Sequence, residues 1–125
     1  MSTVISGVDF VSIPTGDLAR SVAFYGDALG LRRTVYMPER NFAEFDTGTV
    51  TLSVVDPVKM KIGEFSPNKN HLALQVDDVP AARAQLEARG VTFMGDIFDT
   101  GVCHMAFLAD PDGNHLMLHH RYARR

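Results

Sequence analysis

The strongest constraint on the fold of this 125-residue chain is an internal repeat. The segment Val11–Leu18 matches Leu72–Val79 at an offset of 61 residues, and Leu52–Val54 matches Leu116–Leu118 at an offset of 64. A self-similar pattern of about 60 residues indicates that one supersecondary unit occurs twice. The chain is therefore expected to fold as two copies of one arrangement of strands and helix.

The first copy has the pattern of a strand, a helix and three short strands. Residues Val8–Thr15 alternate as a strand requires, and Pro14 and Gly16 end that run. Asp17 is then the predicted N-cap of a helix, because apolar residues follow it at intervals of four, three and four. This apolar stripe consists of Leu18, Val22, Tyr25 and Leu29. Three further strands are predicted at Thr34–Met37, Asn41–Asp46 and Thr49–Val55.

The second copy repeats this order after a connecting segment, Asp56–Asn70, which contains prolines, glycine and charges. A strand is predicted at His71–Val76, followed by a helix that is capped by Asp77-Asp78, has Pro80 in its first turn and ends at Gly90. Strands are then predicted at Val91–Met94, Val102–Leu108 and His115–His119. The predicted fold class is α+β, with two tandem βαβββ modules in one domain over residues 1–125. Module one covers about 8–55, the linker about 56–70 and module two about 71–120.

Each module has one residue of its first strand and one of its last strand in equivalent positions of the repeat. These four residues, called the slot residues below, are Phe10 and Ser53 in module one and His71 and Met117 in module two. If a pseudo-twofold axis relates the modules, the four side chains are expected to come together.

A tight hairpin is predicted at Ala106–His120. Its turn, Asp110–Gly113, supplies an acceptor side chain, a proline with fixed φ and a glycine where φ must be positive. After the turn, strand side chains point to opposite faces with period two. One face carries His115, Met117 and His119, and the other carries Leu116 and Leu118. The leucine face is suited to packing under a helix, so the histidine face is a candidate wall of a binding site.

Composition excludes several classes of function. The chain has 12 Lys and Arg against 15 Asp and Glu, and this net charge of −3 argues against a nucleic-acid partner. No apolar run approaches the roughly 20 residues of a membrane span, and the N-terminus lacks a basic segment followed by an apolar core. The single cysteine, Cys103, fits a reducing compartment, and it is interpreted as buried packing rather than as a nucleophile. A cytoplasmic location is therefore expected, with a solvated basic tail at Arg121, Arg124 and Arg125.

Three motifs, in this order and spacing, resemble the vicinal oxygen chelate superfamily, which includes glyoxalase I, bleomycin-resistance proteins and extradiol dioxygenases. The motifs are Asp17–Tyr25 with Leu29-Gly-Leu31, His71–Leu74 with Asp77-Asp78-Val79, and Asp110–Asn114. The resemblance covers nearly the whole chain. It implies paired βαβββ modules whose mixed sheet curls around a cavity, and a homodimer with the pocket near the interface.

Enzymes of this superfamily hold a divalent metal with ligands from the first and last strands of each module, typically His and Glu. Carried over by position, these ligand places fall on the slot residues Phe10, Ser53, His71 and Met117. Phe10 cannot coordinate, Ser53 is a poor ligand, and the soft thioether of Met117 is unsuited to Zn, Ni, Mn or Fe(II). Since a catalytic site of this type needs about three protein ligands, the metal site of the family is not retained, and no cofactor is expected.

An alternative keeps a divalent metal (Zn, Ni, Mn or Fe) at a displaced site. Its ligands would be His71, His119 and His104, with Glu44 or Asp46 as the carboxylate. Strand parity permits His119, because it shares the face of Met117. The orientation of His104 depends on the hairpin pairing, which the sequence leaves open.

Two functions therefore remain open from the sequence. The first is a small-molecule-binding protein of the bleomycin-resistance type, with an apolar pocket for an aromatic or heterocyclic compound. This predicted pocket is lined by Phe10, Ser53, His71, His115, Met117 and His119. The second is an enzyme, a lyase or dioxygenase that uses the displaced metal site. His71 is the best single acid–base candidate in either case, including metal-free isomerase chemistry.

Overall fold

The computed structural model describes residues 4–124, so the prediction made for Arg125 lies outside the described residues. The chain divides into two compact units between Phe65 and Ser66, inside the predicted linker. Each unit contains one βαβββ module with its own open, four-stranded mixed sheet. The α+β class and the repeated module are confirmed. No described helix has the length and apolar character that crossing a membrane would need.

Module one follows the predicted order of elements. Its strands are β1 (Phe10–Pro14), β2 (Arg32–Met37), β3 (Phe42–Asp46) and β4 (Thr51–Val55), and its helix is α1 (Leu18–Ala23). The strand order is β1-β4-β3-β2, with β1 and β4 parallel and the other pairs antiparallel. A single 3₁₀ turn, Pro38–Arg40, joins β2 to β3.

The start of α1 is capped as the sequence predicts. The Asp17 carboxylate accepts a hydrogen bond from the backbone N–H of Arg20 at 3.1 Å, and buried Thr15 exchanges hydrogen bonds with the backbone of Asp17. The helix does not continue regularly along its apolar stripe, because a π-helical turn covers Phe24–Ala28. This turn keeps Tyr25 fully buried, with its ring centroid 6.0 Å from that of Phe45.

Module two has the same topology with longer strands. Its strands are β5 (Leu72–Gln75), β6 (Phe93–Asp99), β7 (Cys103–Ala109) and β8 (His115–Arg121), and its helix is α2 (Val79–Ala88). The order is β5-β8-β7-β6, again with the first pair parallel. The Asp78 carboxylate caps α2 by accepting a hydrogen bond from the backbone N–H of Ala81 at 2.9 Å.

Two predicted boundaries in module two were wrong. The strand expected at Val91–Met94 is β6, which begins at Phe93 and runs to Asp99 through an irregularity between Met94 and Phe98. Local propensity did not reveal this extension because Gly95 and Asp96 are weak strand formers that pairing with β7 overrides. Strand β8 also extends to Arg121, so this residue is part of the sheet rather than of a solvated tail.

The predicted turn Asp110–Gly113 is confirmed, and it organises the end of the linker. The Asp110 carboxylate accepts hydrogen bonds from the backbone N–H groups of Asp112 and Asn114 and from the Asn114 side-chain amide. The Asn114 side-chain oxygen in turn accepts from the backbone N–H of Asn68 at 2.7 Å. Gly113 has φ +88°, which suits glycine alone among common residues. The buried side chains of Asp110 and Asn114 therefore hold this turn and the end of the linker together.

Candidate functional site: the open faces of the two sheets

Each sheet has one face packed under its helix and one face on the other side, called the open face below. In module one, Phe45 on β3 packs near Tyr25, and in module two the guanidinium of Arg83 on α2 lies 5.1 Å from the ring centre of Phe93 on β6. Residues that alternate with these helix-side positions belong to the open faces. All four slot residues are on open faces.

The strand register shows that the slot residues occupy equivalent places in the two modules. Ser53 on β4 is paired with Ser12 on β1, two residues after Phe10. In the same way, Met117 on β8 is paired with Ala73 on β5, two residues after His71. The two slot residues of each module are thus diagonal neighbours on its parallel pair of strands.

The open face of module one combines hydroxyl and carboxylate groups with Phe10. Glu44 on β3 is paired with Ser53, whose neighbour on the other side is Ser12. Ser53 is 5% exposed, whereas Phe10 at the edge is 56% exposed. Asp46 forms an exposed ion pair with Arg32 at 3.2 Å. The backbone N–H of Gly48 and the guanidinium of Arg32 hold the pKa of Asp46 below its usual value.

The open face of module two brings together two histidines. The imidazole of His71 lies 4.9 Å from that of His115 and 5.1 Å from the ring of Phe107, measured between ring centroids. Phe107 on β7 is paired with Met117 on β8. Within residues 4–124, neither imidazole has a hydrogen-bond or ion-pair partner, and Nδ1 of His115 is buried without one. We call His71 and His115 the histidine pair.

His119 lies on the same open face, farther along β8. It is paired with Met105 on β7 and with Gln75 on β5. On this face of β8, Met117 lies between His119 and His115. The predicted pocket residues of module two, His71, His115, Met117 and His119, therefore share one face. Sequence reasoning missed Phe107 and the contact between the two histidines. The histidine contact follows once Leu72 is paired with Leu116, whereas the place of Phe107 follows from its pairing with Met117.

His104 lies on the opposite, helix side of the sheet, because it is paired with His120 on β8. Its Nε2 is 3.3 Å from Oδ2 of Asp99, and its ring lies 4.8 Å from the ring of Tyr122. The predicted ligand set of His71, His119 and His104 is therefore wrong in this respect: the β7–β8 pairing directs His104 away from the other two.

Asp99 is the centre of this separate cluster. It accepts hydrogen bonds from the backbone N–H of Gly101 at 2.8 Å and from the hydroxyl of Tyr122 at 2.8 Å. These hydrogen bonds, with a smaller contribution from His104, lower the pKa of Asp99, while the carboxylate raises the pKa of Tyr122. The cluster ties the residue after β8 to the β6–β7 hairpin.

The donor set of the open faces does not fit a divalent metal of the family type. Only His71 among the slot residues has a side chain suited to such an ion. Across residues 4–124, no three or more His, Cys, Asp and Glu side chains form a group that could hold a metal. Cys103 is buried and is paired with Arg121, in keeping with the packing role expected for it.

Module one also has a cleft of about 490 Å³ on the helix side of its sheet, between α1 and β2. Arg33 borders this cleft and stacks on Tyr36, with its guanidinium carbon 4.6 Å from the ring centre. No slot residue and no histidine lines the cleft. It is therefore distinct from the sites that the sequence repeat predicts.

Comparison with known proteins agrees with this architecture. The chain is 32% identical over 108 residues to the lactoylglutathione lyase of Haemophilus influenzae, covering 78% of this chain and 80% of that protein. It is 30% identical over 112 residues to an uncharacterised protein of Mycolicibacterium smegmatis, covering 90% and 91% of the two chains.

Solved structures are similar over nearly the whole chain. One is TnmS3, an antibiotic binding protein from Streptomyces sp. CB03234, with a TM-score of 0.76, 28% identity and coverage of 94% and 97%. Another is the lactoylglutathione lyase from Agrobacterium tumefaciens, with a TM-score of 0.78, 20% identity and coverage of 92% and 93%. The model of the Glyoxalase/Bleomycin resistance protein/Dioxygenase superfamily matches residues 7–118, and the chain belongs to this superfamily.

Proposed function

We propose that this protein binds a small aromatic or heterocyclic molecule without the help of a metal ion. The observation that carries the proposal is the chemistry of the slot residues. Phe10 and Met117 offer apolar and polarisable surface at positions where the enzymes of the superfamily have metal-ligating side chains, and Ser53 offers a hydroxyl. Binding pockets for small molecules are mostly apolar with a few placed polar groups, and the open face of module two, where Phe107 and Met117 lie beside histidines, has that composition.

The comparisons support a binding role as well as an enzymatic one. A solved relative with 28% identity is described as an antibiotic binding protein, and a relative with 32% identity is a lactoylglutathione lyase. The chain shares the fold with both. The missing metal donors favour the first kind of function, because a lyase of the family type needs a metal to polarise its substrate.

The proposal is tested by elemental analysis together with a binding measurement. The protein is purified without added metal, and we expect far less than one bound metal ion per chain. The neutral probe 1-naphthalenemethanol is expected to bind equally well before and after dialysis against EDTA. Phe10→Ser and Met117→Ser are expected to weaken this binding, whereas Val58→Ser, at an exposed position of the linker, serves as the matched control.

Stoichiometric metal that disappears in His71→Ala contradicts the proposal and supports the enzymatic alternative. The same preparation is assayed for lactoylglutathione lyase activity with and without added Ni²⁺ or Zn²⁺. We expect no turnover above buffer in either case. Turnover that depends on the added metal would favour a metal-dependent lyase over a binding protein.

The proposal includes a homodimer located in the cytoplasm, as in other single-chain members of this size. Light scattering coupled to size-exclusion chromatography is expected to give twice the 13.8 kDa chain mass. A monomeric mass at working concentrations contradicts the dimer without affecting the binding test.

A further inference from the structure

We propose that the histidine pair on module two is a subsite for the ionised acidic group of an aromatic ligand. This inference rests on the proposed binding function and adds the charge class of the ligand. The subsite consists of His71 and His115, and Phe107 and Met117 form its apolar wall. An aromatic carboxylate is the simplest ligand of this class.

The first argument is that the two imidazoles lack partners within the described chain. Their centroids are 4.9 Å apart, yet neither ring makes a hydrogen bond or ion pair among residues 4–124. Nδ1 of His115 is buried without a partner, and polar groups in such positions usually have one. Two neighbouring N–H donors with no internal acceptor are suited to one external acceptor with two oxygens.

The second argument is the surface beside the pair. The ring of Phe107 lies 5.1 Å from the ring of His71, at an interplanar angle of 69°. Phe107 and Met117 are directly paired across β7 and β8, so a thioether and an aromatic ring form adjacent parts of one surface. Thioethers and aromatic edges pack favourably against flat rings. A ligand whose acid group reaches the histidines can therefore place its ring on this wall.

The third argument is the sign of the charge. The open-face residues of β5, β7 and β8 include no Asp or Glu. They are Ala73 and Gln75 on β5, Cys103, Met105, Phe107 and Ala109 on β7, and His115, Met117, His119 and Arg121 on β8. Met94 and Phe98 face the pair's side from β6. On β5, β7 and β8 the titratable or charged groups are thus His119, Arg121 and Cys103, so these three strands offer an opposite charge to a ligand anion and none to a ligand cation. On β6, the carboxylate of Asp96 is exposed in the unpaired stretch between Met94 and Phe98.

The experiment compares three probes that share one naphthalene ring. They are 1-naphthoate, 1-naphthalenemethanol and 1-naphthylmethylamine, which are anionic, neutral and cationic. The chain has no tryptophan, so naphthalene fluorescence can be followed directly. At pH 6 we expect naphthoate to bind about tenfold more tightly than the alcohol, and the amine to bind most weakly.

Single variants locate the effect. His71→Gln and His115→Gln are each expected to reduce the preference for naphthoate over the alcohol to about twofold or less. His120→Gln is the matched control, because His120 lies on the helix side of the same strand. It is expected to keep the full preference.

The outcomes separate this inference from the proposed function. Equal binding of the alcohol and naphthoate to the unmodified protein contradicts the anion subsite and leaves the binding function standing. If both histidine variants lose binding of the alcohol together with binding of naphthoate, the anion subsite is also contradicted. The histidine pair would then be only part of the apolar wall. Failure of all three probes to bind contradicts both proposals. Tight Zn²⁺ binding that displaces naphthoate and disappears in His71→Gln identifies the pair as a metal site instead.

Discussion

The two modules have the same framework but different open faces. Both use an aspartate, Asp17 or Asp78, to cap the helix, and both pair the first strand with the last in the same register. Module one presents hydroxyl and carboxylate groups beside Phe10 on its open face, whereas module two presents imidazole, thioether and aromatic groups. Helix caps and helix-side packing are thus common to both modules and support the fold, whereas the residues of the open faces differ and are available for binding.

The turns before the last strands of the two modules also differ, in the burial of their aspartates. Asp46 and Asp110 occupy equivalent places, and each accepts a hydrogen bond from the backbone N–H two residues later. Asp110 is buried with Asn114, whose repeat position in module one is held by Val50. Asp46 is instead exposed and pairs with Arg32. The same local turn is thus held by buried hydrogen bonds in module two and lies at the surface in module one.

The largest loss of stability is expected from a substitution on the helix side of β8, and the neighbouring residue on the open face provides the comparison. Leu116→Ala removes a fully buried helix-side residue and is expected to lower the free energy of unfolding by about 2–5 kcal/mol. The neighbouring change Met117→Ala, on the open face, is expected to cost no more than about 2 kcal/mol. Urea denaturation measures both. A Met117→Ala loss as large as that of Leu116→Ala would show that the open face is also core.

An exchange between the two turns tests the second comparison. Asn114→Val places the residue of module one in the turn of module two, and removes partners from Asp110 and from the backbone N–H of Asn68. We expect a loss of about 2–4 kcal/mol, because buried polar groups are left unsatisfied. The reciprocal change Val50→Asn is expected to alter stability little, because the exposed carboxylate of Asp46 already interacts with water and with Arg32. Similar losses for both variants would refute the distinction.

The smallest expected effect concerns the pH dependence of stability in the Asp99 cluster. The folded pKa of Asp99 is lowered, so its contribution is present above the unfolded value of about 3.9 and is lost as pH falls through the lower folded value. The folded pKa of Tyr122 is raised, so its contribution is lost above about pH 10. Thermal melts of Asp99→Asn and Tyr122→Phe against pH are expected to show smaller acid and alkaline changes, respectively, than the unmodified protein. Unchanged profiles contradict this account.

Much of the fold was predictable because its signals are local and repeated. The helix caps, the Asp110 turn and the alternation of β8 each depend on a few neighbouring residues. The extent of β6 was not predictable, because strand pairing with β7 overrides its weak local propensity. The π-helical turn at Phe24–Ala28 likewise departs from the regular helix that the apolar stripe predicts, and it accompanies the burial of Tyr25.

The candidate site shows where sequence reasoning reaches its limit. The repeat placed His71, Met117, His115 and His119 on one face, since parity along a strand is a local property. It left the direction of His104 open, because that depends on the register between β7 and β8, which is set by the whole hairpin. The same register brings Phe107 beside His71, a contact between residues far apart in sequence.

Spacing along the chain was enough to predict the two βαβββ modules, and the resemblance to the family implied that the slot residues lack most of its metal donors. Only the tertiary structure decided which histidines meet. Strand pairing placed the ring of His71 4.9 Å from His115 and directed His104 towards Asp99 on the other side of the sheet. The physical reason is that a shift of one residue in register exchanges the two faces of a strand.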